Sequence, residues 1–180
     1  QCAEPGPFSQ AIAGIDLAVW DLAARLDEKP LWQFMGGENP LIKVYASGLN
    51  PTNPERLAAD KYKQGYRTFK LKIGFGEKID GKNLYNLRNT LGDDVDLMAD
   101  ANQSWNLTEA KKMAKFLEDF DLGWLEEPMK VTDPPESWKE LADSTSIPLA
   151  GGENMMGTEQ FEKAIEAGAL KVIQPDIAKW

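Results

Sequence analysis

A unit of about 26 residues recurs along this chain: a short apolar run, a polar turn, then an amphipathic stretch of roughly three helical turns. The apolar runs fall at 44–48, 68–74, 96–102, 122–128, 148–154 and 170–176, with helical stretches near 54–65, 78–91, 108–119, 135–143 and 158–167. Gly65, Gly92 and Gly168 stand where helix C-termini need caps. Six strands alternating with five helices predict parallel βα units, because parallel neighbours need a crossover. The repeat matches an eight-unit barrel, which spreads roughly 250 residues over eight units. The expected fold is α/β, a (β/α)8-type TIM barrel present as about six of its eight βα units. A doubly wound open sheet is the alternative, but its phosphate turn would need a glycine where Ile79 follows Gly74-Phe75-Gly76.

Ahead of the repeat, apolar residues at helical spacing over 10–26 predict one amphipathic helix, followed by a loop with Gly36-Gly37 and Pro40. The chain begins at Gln1 rather than Met and ends on Asp176-Ile177-Ala178-Lys179-Trp180, so both ends are expected to be cuts.

Polar residues interrupt the apolar runs at one place in each unit. Lys72, Asp100, Glu126, Glu153 and Asp176 lie at or near successive strand ends, 28, 26, 27 and 23 residues apart. In a parallel barrel all C-terminal strand ends share one face, where active sites are built, so these five side chains should converge. Alternation in Phe69-Lys70-Leu71-Lys72-Ile73 puts three apolar side chains under the helices and sends both lysines towards the barrel axis. A solvated strand face would also alternate in this way. Helices flanking the sheet imply burial on both faces, however, where idle lysines would be expensive. Asp100, Glu126 and Glu153 form an oxygen donor set suited to Mg²⁺, with positions left for water or substrate. Helix N-caps would explain one such carboxylate but hardly three in consecutive units. Glu127 should point to the opposite face and is the weaker ligand. Trp105, Trp124 and Trp138 are expected to pack.

Composition narrows the chemistry. With no histidine, these 180 residues hold no Ser-His-Asp triad, Cys-His pair, His-rich zinc site or imidazole base. Cys2 is the single cysteine, so no internal disulfide forms. A net charge of −9 argues against a nucleic-acid surface. No apolar run approaches the roughly 18 residues of a membrane span, and no signal pattern opens the chain, so a soluble cytoplasmic protein is expected.

Lys70-Leu-Lys72, Asp100-Ala-Asn102-Gln-Ser, Trp124-Leu-Glu-Glu-Pro128, Gly152-Glu-Asn154 and Gln174-Pro-Asp176, in this order, resemble the enolase superfamily. Gly14-Ile-Asp-Leu-Ala-Val-Trp20-Asp looks like that family's helix leading into the barrel. Gly-Glu-Asn on the fifth strand and Pro-Asp on the sixth are similar to its mandelate racemase subgroup. The muconate-lactonising subgroup would favour an aspartate as third ligand and a lysine base on the sixth strand, a position that Lys179 does not fit.

The resemblance implies that residues 1–39 are a linker and helix, a remnant of an N-terminal capping region, and that 40–180 are a partial barrel. It implies Asp100, Glu126 and Glu153 as Mg²⁺ ligands, Lys72 as acid/base catalyst with Lys70 beside it, and Asp176 as partner of a histidine on a seventh strand. Asn102 and Lys179 would contact substrate. The implied chemistry is removal of the proton next to a carboxylate, an enolase-superfamily reaction run with Mg²⁺. The implied partner is a small carboxylic acid, with dehydration of an acid sugar favoured over racemisation of a hydroxy acid or cycloisomerisation. A homo-oligomer is expected of the complete protein. Two rival readings stand: a different (β/α)-barrel lyase or isomerase, and a truncated inactive scaffold or partner-binding fragment.

Overall fold

A computed structural model describes residues 6–179; the readings on Cys2, Gln1 and Trp180 lie outside them. Helix α1 (Pro7–Leu26) and the single turn α2 (Leu31–Phe34) precede the alternation. α1 starts three residues before the predicted 10–26, because Pro7 at its first position gives up an N–H that no helix end could use. α2 falls in a segment expected to be loop; four residues are too few to show a period. Trp20 of α1 meets Phe34 of α2 edge to face, with centroids 6.2 Å apart.

Then come β1 (Ala46–Leu49), α3 (Pro54–Lys63), β2 (Thr68–Lys72), α4 (Glu77–Leu91), β3 (Asp96–Asp100) and α5 (Leu107–Leu117). They are followed by β4 (Leu122–Glu126), α6 (Pro135–Ala142), β5 (Leu149–Gly151), α7 (Gly157–Ala167) and β6 (Val172–Ile173). The six strands form one parallel sheet in chain order, β1-β2-β3-β4-β5-β6. These are consecutive staves of a barrel. Several apolar runs are longer than their strands. The run 148–154 yields only Leu149–Gly151, and 170–176 only Val172–Ile173, because the chain leaves the ladder at the upper rim. β1 is displaced from the predicted 44–48 to Ala46–Leu49 and, like β6, pairs with one neighbour among the described residues.

Alternation decides which residues reach the core. Phe69, Leu71, Leu97, Ala99, Leu125 and Leu149 are fully buried with Ala58, Leu84, Leu87, Ala110, Ala114 and Leu141 of the covering helices. Each such leucine contributes roughly 1.5–3 kcal/mol through burial. The opposite strand face is left for polar groups.

The lower rim is tied by charge. The Arg88 guanidinium donates to the carbonyls of Val95, Phe120 and Asp121. Glu118, just past α5, accepts from Lys115 Nζ (2.7 Å), the Ser146 N–H (3.0 Å) and the Ser146 and Thr145 hydroxyls, gathering the α6–β5 loop. The Lys115 bond first, and then the Ser146 N–H, hold the Glu118 carboxyl down at about 2, from 4.5. The folded value lies below the unfolded one, so the stabilisation is present above pH 4.5 and fades as pH falls towards 2. Glu118→Gln is therefore expected to shrink the loss of melting temperature between about pH 5 and pH 2, followed by circular dichroism.

Candidate active site

Register brings the strand-end charges level. Lys72 pairs with Asp100 across β2 and β3, and Asp100 with Glu126 across β3 and β4. The Lys72 Nζ donates to Asp100 Oδ2 at 2.5 Å. The Lys70 Nζ donates to Glu126 Oε1 at 2.5 Å and lies 3.3 Å from Asp100 Oδ2. Four charges from three adjacent strands thus form one cluster on the axial face, as alternation predicted for the lysines. Their side chains differ in access: 7% exposed for Lys70, 0% for Asp100, 2% for Glu126, but 27% for Lys72. Of these four, only Lys72 has a side chain with appreciable access to solvent.

The cluster sets its own electrostatics. Burial pulls the Lys70 ammonium down, but the bonded Glu126 and nearby Asp100 outweigh it, and the net shift is upward, fixing the charge. Burial also raises the Asp100 carboxyl, yet the Lys72 bond and the Glu126 contact dominate and it moves down. Glu126 moves up: burial and the Asp100 charge exceed the pull of Lys70 and Gln174. Two touching buried carboxylates demand cationic charge, and here two ammonium groups supply it.

Further neighbours surround the cluster, two of them in roles that the sequence reading did not give them. Trp124 Nε1 (3.1 Å) and Gln174 Nε2 (2.8 Å) both donate to Glu126 Oε2. Trp124 is therefore more than packing. It lies two residues before Glu126 on the same strand face, a signal that alternation carried. Tyr45 stacks edge to face on Trp124 at 5.6 Å and lies 5.3 Å below the Lys70 ammonium. The Asn102 N–H donates to Asp100 Oδ1 (2.9 Å) from a left-handed turn at φ 45°, and Asn102 itself is exposed.

Other expected members stand apart. The Glu153 side chain, 35% exposed, lies 3.8 Å from Lys179 Nζ rather than against Asp100 or Glu126. Lys179 donates to Asn154 Oδ1 at 3.1 Å. Asp176 turns back on its own loop, accepting from the Ala178 N–H, and lines a cleft with Trp20 and Phe161. Among the described residues, no three acidic side chains converge on a single point that could hold an ion. Glu127, expected on the opposite face, is 3% exposed at the rim. Its φ of 40° ends the strand's alternation and turns the carboxylate towards Asn154 and Gln103.

Donor chemistry nevertheless fits a hard divalent cation. Asp100 and Glu126 present buried carboxylate oxygens at adjacent strand ends, and Glu153 is one strand further round with a partly free side chain. The backbone holds Glu153 closely. A β-carbon on Gly152, at φ 137°, would lie 2.9–3.1 Å from the Gln174 backbone. Gly152→Ala is expected to cost about 1–3 kcal/mol in urea unfolding, since neither the strained φ nor a main-chain clash relaxes cheaply.

Residues 54–180 match the family model described as enolase C-terminal domain-like, and residues 4–36 match the mandelate racemase/muconate lactonizing enzyme N-terminal domain. The chain belongs to the enolase superfamily. Within it, the mandelate racemase group is the one it matches. A crystal structure of a mandelate racemase/muconate lactonizing enzyme from Bordetella bronchiseptica superposes with a TM-score of 0.94 at 52% identity, over 98% of this chain and 49% of that one. A Bradyrhizobium enolase crystallised with magnesium and mandelic acid superposes at 0.88 with 35% identity, over 97% and 49%. The 3,6-anhydro-alpha-L-galactonate cycloisomerase of Streptomyces coelicolor is 35% identical over 96% of this chain and 49% of that protein. The chain thus spans about half the length of the curated relatives it matches. As in the superfamily's barrels, the described strands are parallel staves, and no described helix is long and apolar enough to cross a membrane.

Proposed function

We propose that this chain carries the base and metal ligands of an enzyme that removes the proton α to the carboxylate of a sugar acid. The observation that carries it is the level row Lys72–Asp100–Glu126, with one half-buried ammonium that reaches solvent beside two buried carboxylates. Asp100, Glu126 and Glu153 would hold Mg²⁺, in keeping with the magnesium of the Bradyrhizobium relative. When bound, the ion supplies a Lewis acid that holds the substrate carboxylate and stabilises the charge that develops on it.

The chain's own residues do the rest. Lys72, once neutral, takes the α-proton from one face. Lys70 stays charged and fixes Glu126 and Asp100. Asn102 and Lys179 reach the substrate at the rim, and Asp176 serves a further acid–base partner beyond β6. Residues 1–39 would join a capping domain to the barrel part at 40–180. Water loss or ring rearrangement can follow proton removal; the sugar-acid cycloisomerase relative supports the sugar-acid substrate.

The test uses the full-length protein with a panel of aldonates, aldarates and their lactones, followed by NMR, alongside calorimetric titration with Mg²⁺. Turnover of at least one acid, with Mg²⁺ binding weakened at least about tenfold by Glu126→Gln, is expected. No turnover and no Mg²⁺ binding would sink the reading.

A further inference from the structure

The proposed chemistry makes no use of Glu127, although a buried carboxylate is expensive to keep. It is 3% exposed and adopts a left-handed φ of 40°, so both its charge and its backbone are held against a cost. Its partners explain the arrangement. Asn154 Nδ2 donates to both of its carboxylate oxygens, at 2.8 and 3.0 Å, and Gln103 Nε2 donates at 3.3 Å. The main chain is tied as well. The Glu127 N–H donates to Ala150 O (3.0 Å), and Glu127 O accepts from the Gln103 N–H (2.7 Å). The two amides are themselves fixed, since Gln103 Oε1 accepts from the Val131 N–H and Asn154 Oδ1 from Lys179 Nζ.

These partners have a common place in the chain. Gln103 follows Asn102, Glu127 follows Glu126, and Asn154 follows Glu153. Each is the next residue after a member of the candidate site, on three successive βα loops. One carboxylate therefore joins the three rims that carry the donor set. Three amide donations, two from Asn154 and one from Gln103, already occupy its two oxygens.

We infer that Glu127 is a positioning residue: its bonds to Asn154 and Gln103 hold the Glu126 and Glu153 rims at the spacing needed for Mg²⁺, without ligating the ion itself. This rests on the metal reading above and deepens it. Groups that orient metal ligands typically govern affinity by about 10–100-fold.

The experiment is calorimetric titration of the full-length protein with MgCl₂ alone, substrate absent. Glu127→Gln keeps the volume but turns an amide N–H₂ towards a donor, so Mg²⁺ binding is expected to weaken by about 10–100-fold. The double variant Glu127→Gln/Asn154→Asp reverses the pair, with the new amide donating to a carboxylate that still accepts from Lys179. It should recover at least about a tenfold share of that loss. A purely structural role would lower the melting temperature and leave Mg²⁺ affinity of the folded protein unchanged. A single variant that binds like the parent, or a double variant no tighter than the single, overturns the inference. A parent protein that binds no Mg²⁺ overturns the metal reading instead.

Discussion

Lys72→Met in the full-length protein is expected to slow exchange of the substrate α-proton with deuterated solvent by about 10²–10⁴-fold, the usual contribution of a positioned acid–base group. The two lysines of β2 share a strand face and a contact with Asp100, so residue type alone does not separate them. Exposure does. The Lys72 side chain is 27% exposed, against 7% for Lys70, whose ammonium is spent on Glu126 and Asp100. A base must reach its proton, and only Lys72 offers a path. Methionine keeps the unbranched stem, so the fold should survive, and the melting temperature checks that it does. NMR integration of the α-proton in D₂O gives the rate. Exchange at the parent rate in a folded Lys72→Met protein would remove Lys72 from the chemistry and pass the proton to another group.

How much of this was legible in the sequence depends on whether a residue lies inside a strand or just beyond one. Within strands, a two-residue period governs direction. Phe69 to Ile73 showed where both lysines would go, and the spacing of Asp100 and Glu126 put them level. The same rule would have found Trp124 as a donor to Glu126. Past the last ladder bond the period has no hold. Glu127 was expected on the far face, but its φ of 40° reverses that, and no local pattern encodes one left-handed residue. Asp176 and Glu153 sit on loops for the same reason, so a strand-end rule overstated how closely they approach the cluster. Gln174 was visible only as part of a motif, since its bond to Glu126 crosses 48 residues.

Lys70→Met should be the most damaging change to stability, about 3–5 kcal/mol at neutral pH in urea unfolding with chelator present. The argument concerns what remains after the substitution. Asp100 and Glu126 are 0% and 1% exposed, and burial together with the Asp100 charge already raises the cost of ionising Glu126. Among the described residues, Lys72 bonds to Asp100 and not to Glu126, so without Lys70 the Glu126 carboxylate keeps the neutral donors Trp124 and Gln174. A buried charge losing its ionic partner costs far more than the pair contributes beyond a well-packed apolar substitute. Two further readings follow from the same physics. Burial, with the Asp100 charge, puts the folded Glu126 value above its unfolded one, so the native state binds a proton more readily and stability falls as pH rises through that window. Removing Lys70 widens the window upward, so the deficit of the variant should shrink on acidification from pH 7. If Asp100 and Glu126 hold Mg²⁺ as proposed, saturating Mg²⁺ should shrink it too, because the ion would supply positive charge in place of the missing ammonium. A variant within about 1 kcal/mol of the parent at pH 7 would mean that Glu126 is protonated in the native protein, and that the donor set holds less charge than a divalent ion requires.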